Sequence, residues 1–212
     1  MSALAPYAGQ LAEGLAALGL EVAEATRARL LAYGELLLKW NRVYNLTAIR
    51  RPQEVVTHHL LDSLAVAPWL DKVQRLADIG SGGGLPGIPL AILRPELAVS
   101  SVETVNKKAS FQQQAKIELG LGNFQPINAR VENLQPELPF DGVISRAFSS
   151  LGDFVQLAGH LVAEGGALYA MKGLRPDEEL GALPAGWTLQ AMHALAVPGL
   201  DAERHLLVLV RM

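Results

Sequence analysis

The chain contains no cysteine, which excludes disulfides, a thiolate zinc site and any nucleophilic thiol. No lysine or arginine precedes Arg27, so the N-terminus lacks the basic region of a secretory signal. The longest run without a charge, Leu180 to Leu200, has the length of a membrane span, but Pro184, Pro198, Gly181, Gly186 and Gly199 interrupt it, and no transmembrane helix is expected. These absences lead us to expect a cytoplasmic protein, in which the "NLT" acceptor pattern at Asn45 to Thr47 is a chance match. His58 and His59 stand together without a third ligand at recognisable spacing, so no metal is expected, and a local helix hydrogen bond to Asp62 or Ser63 is the preferred role.

At 212 residues and 50% hydrophobic, the chain can bury most of the surface its unfolded form exposes, which fits one compact unit with an appendage. The net charge of −3 conceals a basic stretch: Arg27, Arg29, Lys39, Arg42, Arg50 and Arg51 face only Glu35. Charge alone leaves open whether this stretch is a solvated helix face or a phosphate-facing patch.

Apolar residues at helical spacing predict helices over 7–18 and 22–40, with a third from Glu54 to about Ala67. Residues 1–67 therefore form an N-terminal helical extension. Trp40 and Tyr44 are expected to face the core. From Leu76 onward, short apolar runs ("LADIG", "LAVSSVE", "FQPINAR", "FDGVISRAF", "ALYAMKG") alternate with helix-length segments, among them "NKKASFQQQAKIELG" and "SLGDFVQLAGHLVAEGG". Such alternation means βαβ units and a mostly parallel sheet over residues 68–212. The last two runs, "WTLQAMHALAV" and "RHLLVLVRM", are joined too closely for a crossover helix and predict an antiparallel hairpin.

The run "RLADIGSGGGLPGIPLAIL" is a strand, a glycine turn and a helix, the geometry that brings backbone N–H groups against a ligand at the carboxyl edge of a parallel sheet. No Gly-Lys-Ser/Thr follows, which excludes a P-loop, and Leu85 stands where a dinucleotide fingerprint requires Gly or Ala. A nicotinamide oxidoreductase is thereby disfavoured. Other strand ends add groups on the same edge: Glu103 about twenty residues on, where an acid can hold a ribose, then Glu132, Arg146 and Lys172. Each has a structural alternative: Glu103 as a cap of the next helix, Glu132 as a solvated residue, Arg146 and Lys172 as partners of acids such as Asp78. A ligand at that edge accounts for all of them together.

The segments "KWNRVYNLTAI", "HHLLDSL", "DIGSGGGLPGIPLAI", "RVE", "FDGVISRAF", "MKG" and "ERHLLV" resemble the RsmG (GidB) family of bacterial methyltransferases. The resemblance implies a Rossmann-like class I methyltransferase, with a mostly parallel seven-stranded α/β sheet ending in an antiparallel hairpin. It implies transfer of a methyl group from S-adenosylmethionine to N7 of a guanine in 16S rRNA, met as free RNA, in the small ribosomal subunit or in an assembly intermediate, with no membrane involved. Carried onto this chain, it puts Gly80, Leu85, Val131, Glu132 and Arg146 at the cofactor with Glu103 on the ribose; Asp78, Gly82 and Gly84 complete the cofactor candidates, and Arg146, Lys172, Asn45 and Arg204 are the candidates toward the substrate. The family often has Ala at position 83, Phe at 85 and Ala at 131, where this chain has Gly83, Leu85 and Val131. Some relatives carry a basic C-terminal extension, whereas this sequence stops at "VLVRM". Guanine N7 bears an in-plane lone pair and no proton, so attack on a sulfonium methyl needs positioning rather than a general base.

Overall fold

A computed structural model describes residues 2–146, 148 and 150–212; Ala147, within the run "SRAF", and Ser149 lie outside the described residues. Seven strands form one sheet: β1 Arg75–Ile79, β2 Ala98–Glu103, β3 Phe124–Asn128, β4 Phe140–Ser145, β5 Val162–Lys172, β6 Trp187–Ala194 and β7 His205–Arg211. Their spatial order is β3-β2-β1-β4-β5-β7-β6. The first five run parallel, and β7 pairs antiparallel with both β5 and β6. The expected parallel sheet with its terminal hairpin is therefore present. Because β7 runs backward, its entry lies where the parallel strands exit: His205 pairs with Lys172, the last residue of β5.

Period-two alternation divides the sheet between two apolar layers. Leu76 and Ile144 join one core with the N-terminal helices α1 (Ala8–Ala17) and α2 (Glu24–Tyr44), while Ala77 and Val143 join another beneath α6 (Leu151–Ala158). The first core draws on both Leu4 to Leu64 and the sheet, so the N-terminal helices pack directly on the strands that carry the glycine turn. Helix α2 buries Leu30, Tyr33 and Leu37 on one stripe, as spacings of three and four require. It runs four residues past the predicted end and stops at Asn45, whose left-handed backbone (φ 49°) caps it. Neither Gly nor Pro marks that stop.

Residues 52–64, labelled α3, are helical throughout but widen to a π-helix over Val55–Leu61. Helix α4 (Gly87–Leu93) follows the glycine turn, α5 (Asn106–Leu119) follows β2, and α7 (Asp177–Leu180) follows β5. One expectation is corrected. The run "SLGDFVQLAGHLVAEGG" is not helical to its end, because β5 begins at Val162, opposite Phe140, and its register slips before Ala167 meets Gly142. Gly165 takes φ 76°, and a side chain on Gly166 would strike the Asp141 carbonyl at 2.7 Å. The two glycines thus serve a β-bulge rather than a helix end.

Candidate functional site

The glycine turn between β1 and α4 is fixed from several directions. Gly80, Gly82 and Gly84 all have positive φ, a conformation that costs other residues a Cβ clash. The Gly80 N–H donates to the Val102 carbonyl at 2.9 Å, and the Gly82 N–H to Glu103 Oε2 at 2.8 Å. Gln112 of α5 donates to the Gly82 carbonyl and to Ser81 Oγ, both at 2.8 Å, and Ser101 Oγ donates to Ser81 Oγ at 2.7 Å. From the N-terminal layer, the fully buried Tyr33 hydroxyl donates to the Gly83 carbonyl at 2.6 Å. Burial pushes that phenol far above its ordinary pKa, so it remains a donor.

Asp78, the penultimate residue of β1, lies against the first turn of α4. Its Oδ2 accepts the Gly87 N–H at 2.7 Å, and its Oδ1 is buried without a hydrogen-bond partner among the described residues. Complete burial pushes Asp78 up to about 7, against the opposing effects of the Gly87 hydrogen bond and the Arg146 charge. Asp78 therefore pairs with neither Arg146 nor Lys172. The second Glu103 oxygen accepts the Val105 N–H at 2.8 Å just before α5, so Glu103 both ties the turn and caps the helix. Val131 is buried in the short turn after β3, and Glu132, beside it, is exposed and 3.5 Å from Arg130.

Two cavities adjoin this frame. The smaller, about 200 Å³, is lined by Gly80 to Gly83, Leu85, and Leu37, Leu46 and Thr47 of the N-terminal layer. No protein atom lies within 4 Å of where a Gly82 Cβ would stand. The larger, about 390 Å³, is walled by Arg146, Lys172, Arg204 and Asp62. His59 and Arg146 line both.

Asp62, buried at 2% exposure, organises the larger cavity. Its Oδ2 accepts from Arg146 at 2.9 Å and its Oδ1 from Arg204 Nε at 2.8 Å, while the Arg146 guanidinium also reaches the His58 carbonyl at 3.3 Å. Lys172 Nζ meets both oxygens of Glu179 on α7 at 3.0 and 3.1 Å. Three cations thus line a cavity with two carboxylates against them.

The histidines do not bond Asp62 or Ser63 as expected. His58 Nδ1 lies 2.7 Å from Thr57 Oγ1 and His59 Nε2 lies 2.9 Å from Thr47 Oγ1. His59 Nδ1 faces the His58 carbonyl at 3.1 Å and must donate there, which leaves Nε2 to accept the Thr47 hydroxyl. Burial, helped by the Arg146 charge, lowers His59 to about 3, so of the two residues common to both cavities His59 is neutral and Arg146 carries the charge. Asn45 is exposed and lines neither cavity; its Oδ1 accepts from Arg50 at 2.9 Å. Sequence reasoning missed Tyr33, Gln112 and Asp62. The first two are ordinary helix residues in the sequence, whereas Asp62 entered the reading only as a local partner for His58 and His59.

The fold recurs in solved methyltransferases. The O-methyltransferase TomG from Streptomyces achromogenes, in complex with SAM, matches 95% of this chain and 96% of that one with a TM-score of 0.59 at 15% identity. TrmN from Thermus thermophilus matches 74% of this chain and 53% of that one with a TM-score of 0.57 at 21% identity. At these identities the likeness is one of fold. Sequence relatives are much nearer: "Ribosomal RNA small subunit methyltransferase G" of Azoarcus sp. (strain BH72) is 80% identical over 211 residues, covering 100% of each chain. The protein of the same name from Aromatoleum aromaticum is 62% identical over 208 residues, covering 96% of this chain and 99% of that one. The family model described as rRNA small subunit methyltransferase G, GidB, matches residues 26–207, and with that span and these identities the chain belongs to the GidB family.

Proposed function

We infer that the protein transfers a methyl group from S-adenosylmethionine to N7 of a guanine in small-subunit (16S) ribosomal RNA. The observation that carries this reading is the contact of two unlike cavities, one backbone-lined and one cationic, across Arg146 and His59. The residues of the glycine turn fit the cofactor: open space stands over Gly82, and Asp78 Oδ1 lies buried and unpartnered nearby in the chain. S-adenosylmethionine, when bound, supplies an electrophilic methyl group on a sulfonium.

In this reading Asp78, Gly80, Gly82, Gly84 and Leu85 form the methionine side of the pocket, Glu103 holds the ribose, and Val131 and Glu132 flank the adenine. Arg146 has one nitrogen on Asp62 and others to offer an anion, for which the methionine carboxylate is the nearest chemistry. Neutral His59 adds no charge beside a sulfonium. Lys172 and Arg204 face the substrate, where the target N7 must stay unblocked, so they hold O6 or a flanking phosphate. Asn45 belongs to the rim on the RNA side. The guanine must be unpaired or flipped to reach so enclosed a site, whether in free 16S rRNA, a small subunit or an assembly intermediate. Such a substrate implies work in the bacterial cytoplasm; among the described residues no helix is long and apolar enough to cross a membrane.

The test is incubation with labelled S-adenosylmethionine and rRNA from a strain lacking this enzyme, offered naked and as small subunits, followed by nucleoside analysis. Label in 7-methylguanosine is expected. Label in another nucleoside, or cofactor binding without transfer to either substrate, would overturn the reading.

A further inference from the structure

We propose that the exposed end of α2, centred on Tyr44, is a docking surface for the single-stranded RNA that flanks the target base. This inference rests on the RNA reading above. The basic stretch from Arg27 to Arg51, ambiguous in the sequence, is divided by the structure. At its start, Arg27 donates to the Val22 carbonyl at 3.0 Å, fastening the segment before α2, and Arg29 donates to the Leu119 carbonyl at 2.6 Å, tying α2 to the end of α5. At its end the cations are turned outward. Arg42 is exposed and has no ion pair among the described residues, Arg50 bonds only the neutral Asn45 amide at 2.9 Å, and the Arg51 side chain, 83% exposed, sits 3.6 Å from Glu54.

Tyr44 lies two residues after Arg42 and next to Asn45, which holds Arg50, and it is not in the core as expected. It is 42% exposed and its neighbour Val43 is 71% exposed. Its ring is backed on one side by Trp40, with centroids 5.0 Å apart and planes at 31°, and Trp40 in turn meets Phe111 edge-on at 5.6 Å. Tyr44 is therefore the outermost ring of a supported series. A solvated helix face has no need to display an aromatic and a valine at its tip. A braced aromatic with exposed cations close to it in the chain is what a splayed strand needs, because every base has a face to stack and every linkage a phosphate to neutralise.

The position suits the reaction. Two and three residues beyond Tyr44, Leu46 and Thr47 line the cofactor-side cavity. Helices α2 and α5 lie antiparallel, since Arg29 meets the C-terminal end of α5 and Trp40 meets Phe111. The next turn of each helix brings Tyr44 to the end at which α5 begins, with Lys107 and Lys108 in its first turn. Cations from two helices thus gather at one rim.

Binding of the full-length protein to a fluorescent single-stranded rRNA fragment containing the target guanine, read by anisotropy, tests the proposal, with S-adenosylmethionine affinity measured in parallel. Tyr44→Ala should weaken RNA binding about tenfold, Tyr44→Phe should restore it to within about twofold of wild type, and cofactor affinity should stay constant in both. Arg42→Gln with Arg51→Gln should flatten the salt dependence of RNA binding. Wild-type RNA affinity in Tyr44→Ala would overturn the docking surface while leaving the methyltransferase reading intact. A loss of cofactor affinity in Tyr44→Ala matching the loss in RNA affinity would also overturn it, because Tyr44 would then be acting on the pocket. If the wild-type protein binds cofactor but neither binds nor methylates rRNA, the functional reading falls first and the docking surface with it.

Discussion

The smaller cavity is framed by backbone: three glycines with positive φ, and amides and carbonyls fixed by Tyr33, Glu103 and Gln112. The larger is framed by the ends of long side chains, with Arg146 and Arg204 held by Asp62, and Lys172 by Glu179. A backbone frame is rigid before any ligand arrives and tolerates little substitution. A frame of ion pairs can be re-aimed by changing one carboxylate, and it responds to salt. The cofactor side should therefore fail abruptly when altered, and the substrate side by degrees.

Gly82→Val is the strongest challenge to the first half of this contrast. The protein leaves room for a Cβ there, so the chain should fold at a cost of about 1–2 kcal/mol for the left-handed backbone. The branched side chain would fill the cofactor's space, and cofactor binding by calorimetry should vanish. Near-normal affinity in the folded variant would show that the frame is not what holds the ligand.

Asp62→Asn probes the other half. One amide cannot accept from two guanidinium groups in the same geometry, so Arg146 and Arg204 should separate. Methyl transfer should fall about 100-fold through misplacement, with cofactor affinity changed only severalfold, and stability should drop on the order of 3 kcal/mol. Since the side chains of Arg146 and Arg204 are 27% and 26% exposed, the stability loss belongs at the low end for a broken buried pair. Steady-state kinetics with both substrates varied, alongside denaturation, would separate the two effects. A cofactor defect larger than the transfer defect would erase the distinction between the cavities.

Glu103→Gln should weaken cofactor binding by about 1.5–3 kcal/mol, the range for a lost charge-assisted hydrogen bond, as measured by calorimetry. An unchanged affinity would leave Glu103 with only its structural bonds to Gly82 and Val105.

The smallest effect concerns pH. His59 is lowered from 6.5 to about 3 in the fold, so between those values the unfolded chain binds more protons, and the contribution of neutral His59 to stability is lost as pH falls through that window. Asp78, raised from 3.8 to about 7, has the opposite slope over its own window and is present in both proteins compared. The stability difference between wild type and His59→Gln should therefore shift against wild type on acidification from about pH 6.5. Parallel denaturation curves across that range would show that His59 does not titrate with folding.

Local pattern made most of the architecture readable. Alternating apolar runs and helix-length segments foretold the parallel strands, the short connection at "PGLDAE" foretold the hairpin, and the glycines of residues 80–84 marked the turn. Strand exits gave Glu103, Arg146 and Lys172. What stayed hidden depends on pairs distant in sequence: Tyr33 and Gly83 are 50 residues apart, Asp62 and Arg146 are 84, and Asp62 and Arg204 are 142. Helical spacing says that Tyr33 and Leu37 share a stripe but not that the stripe rests on a glycine turn. Likewise it cannot tell that Tyr44, on the last turn of α2, has outrun the layer beneath it. In β5 the bulge at Gly165 and Gly166 mimics a helix stop, because glycine suits both.

The reversed direction of β7 has a consequence for how such an enzyme can diversify. Five parallel strands offer only their exits to the working edge, and the exits of β1, β2, β4 and β5 are each constrained by the helix that follows. An antiparallel strand offers its entry instead, preceded here by residues 195–204, whose ends are joined by the Leu195 N–H donating to the Arg204 carbonyl at 2.7 Å. The ends of that segment are anchored, Leu195 and Val197 in the first core and Arg204 on Asp62, so the stretch between them, residues 198–203, is the part whose length and composition can be exchanged. It is the place where a library of grafted loops could redirect substrate choice while the cofactor half is inherited unchanged.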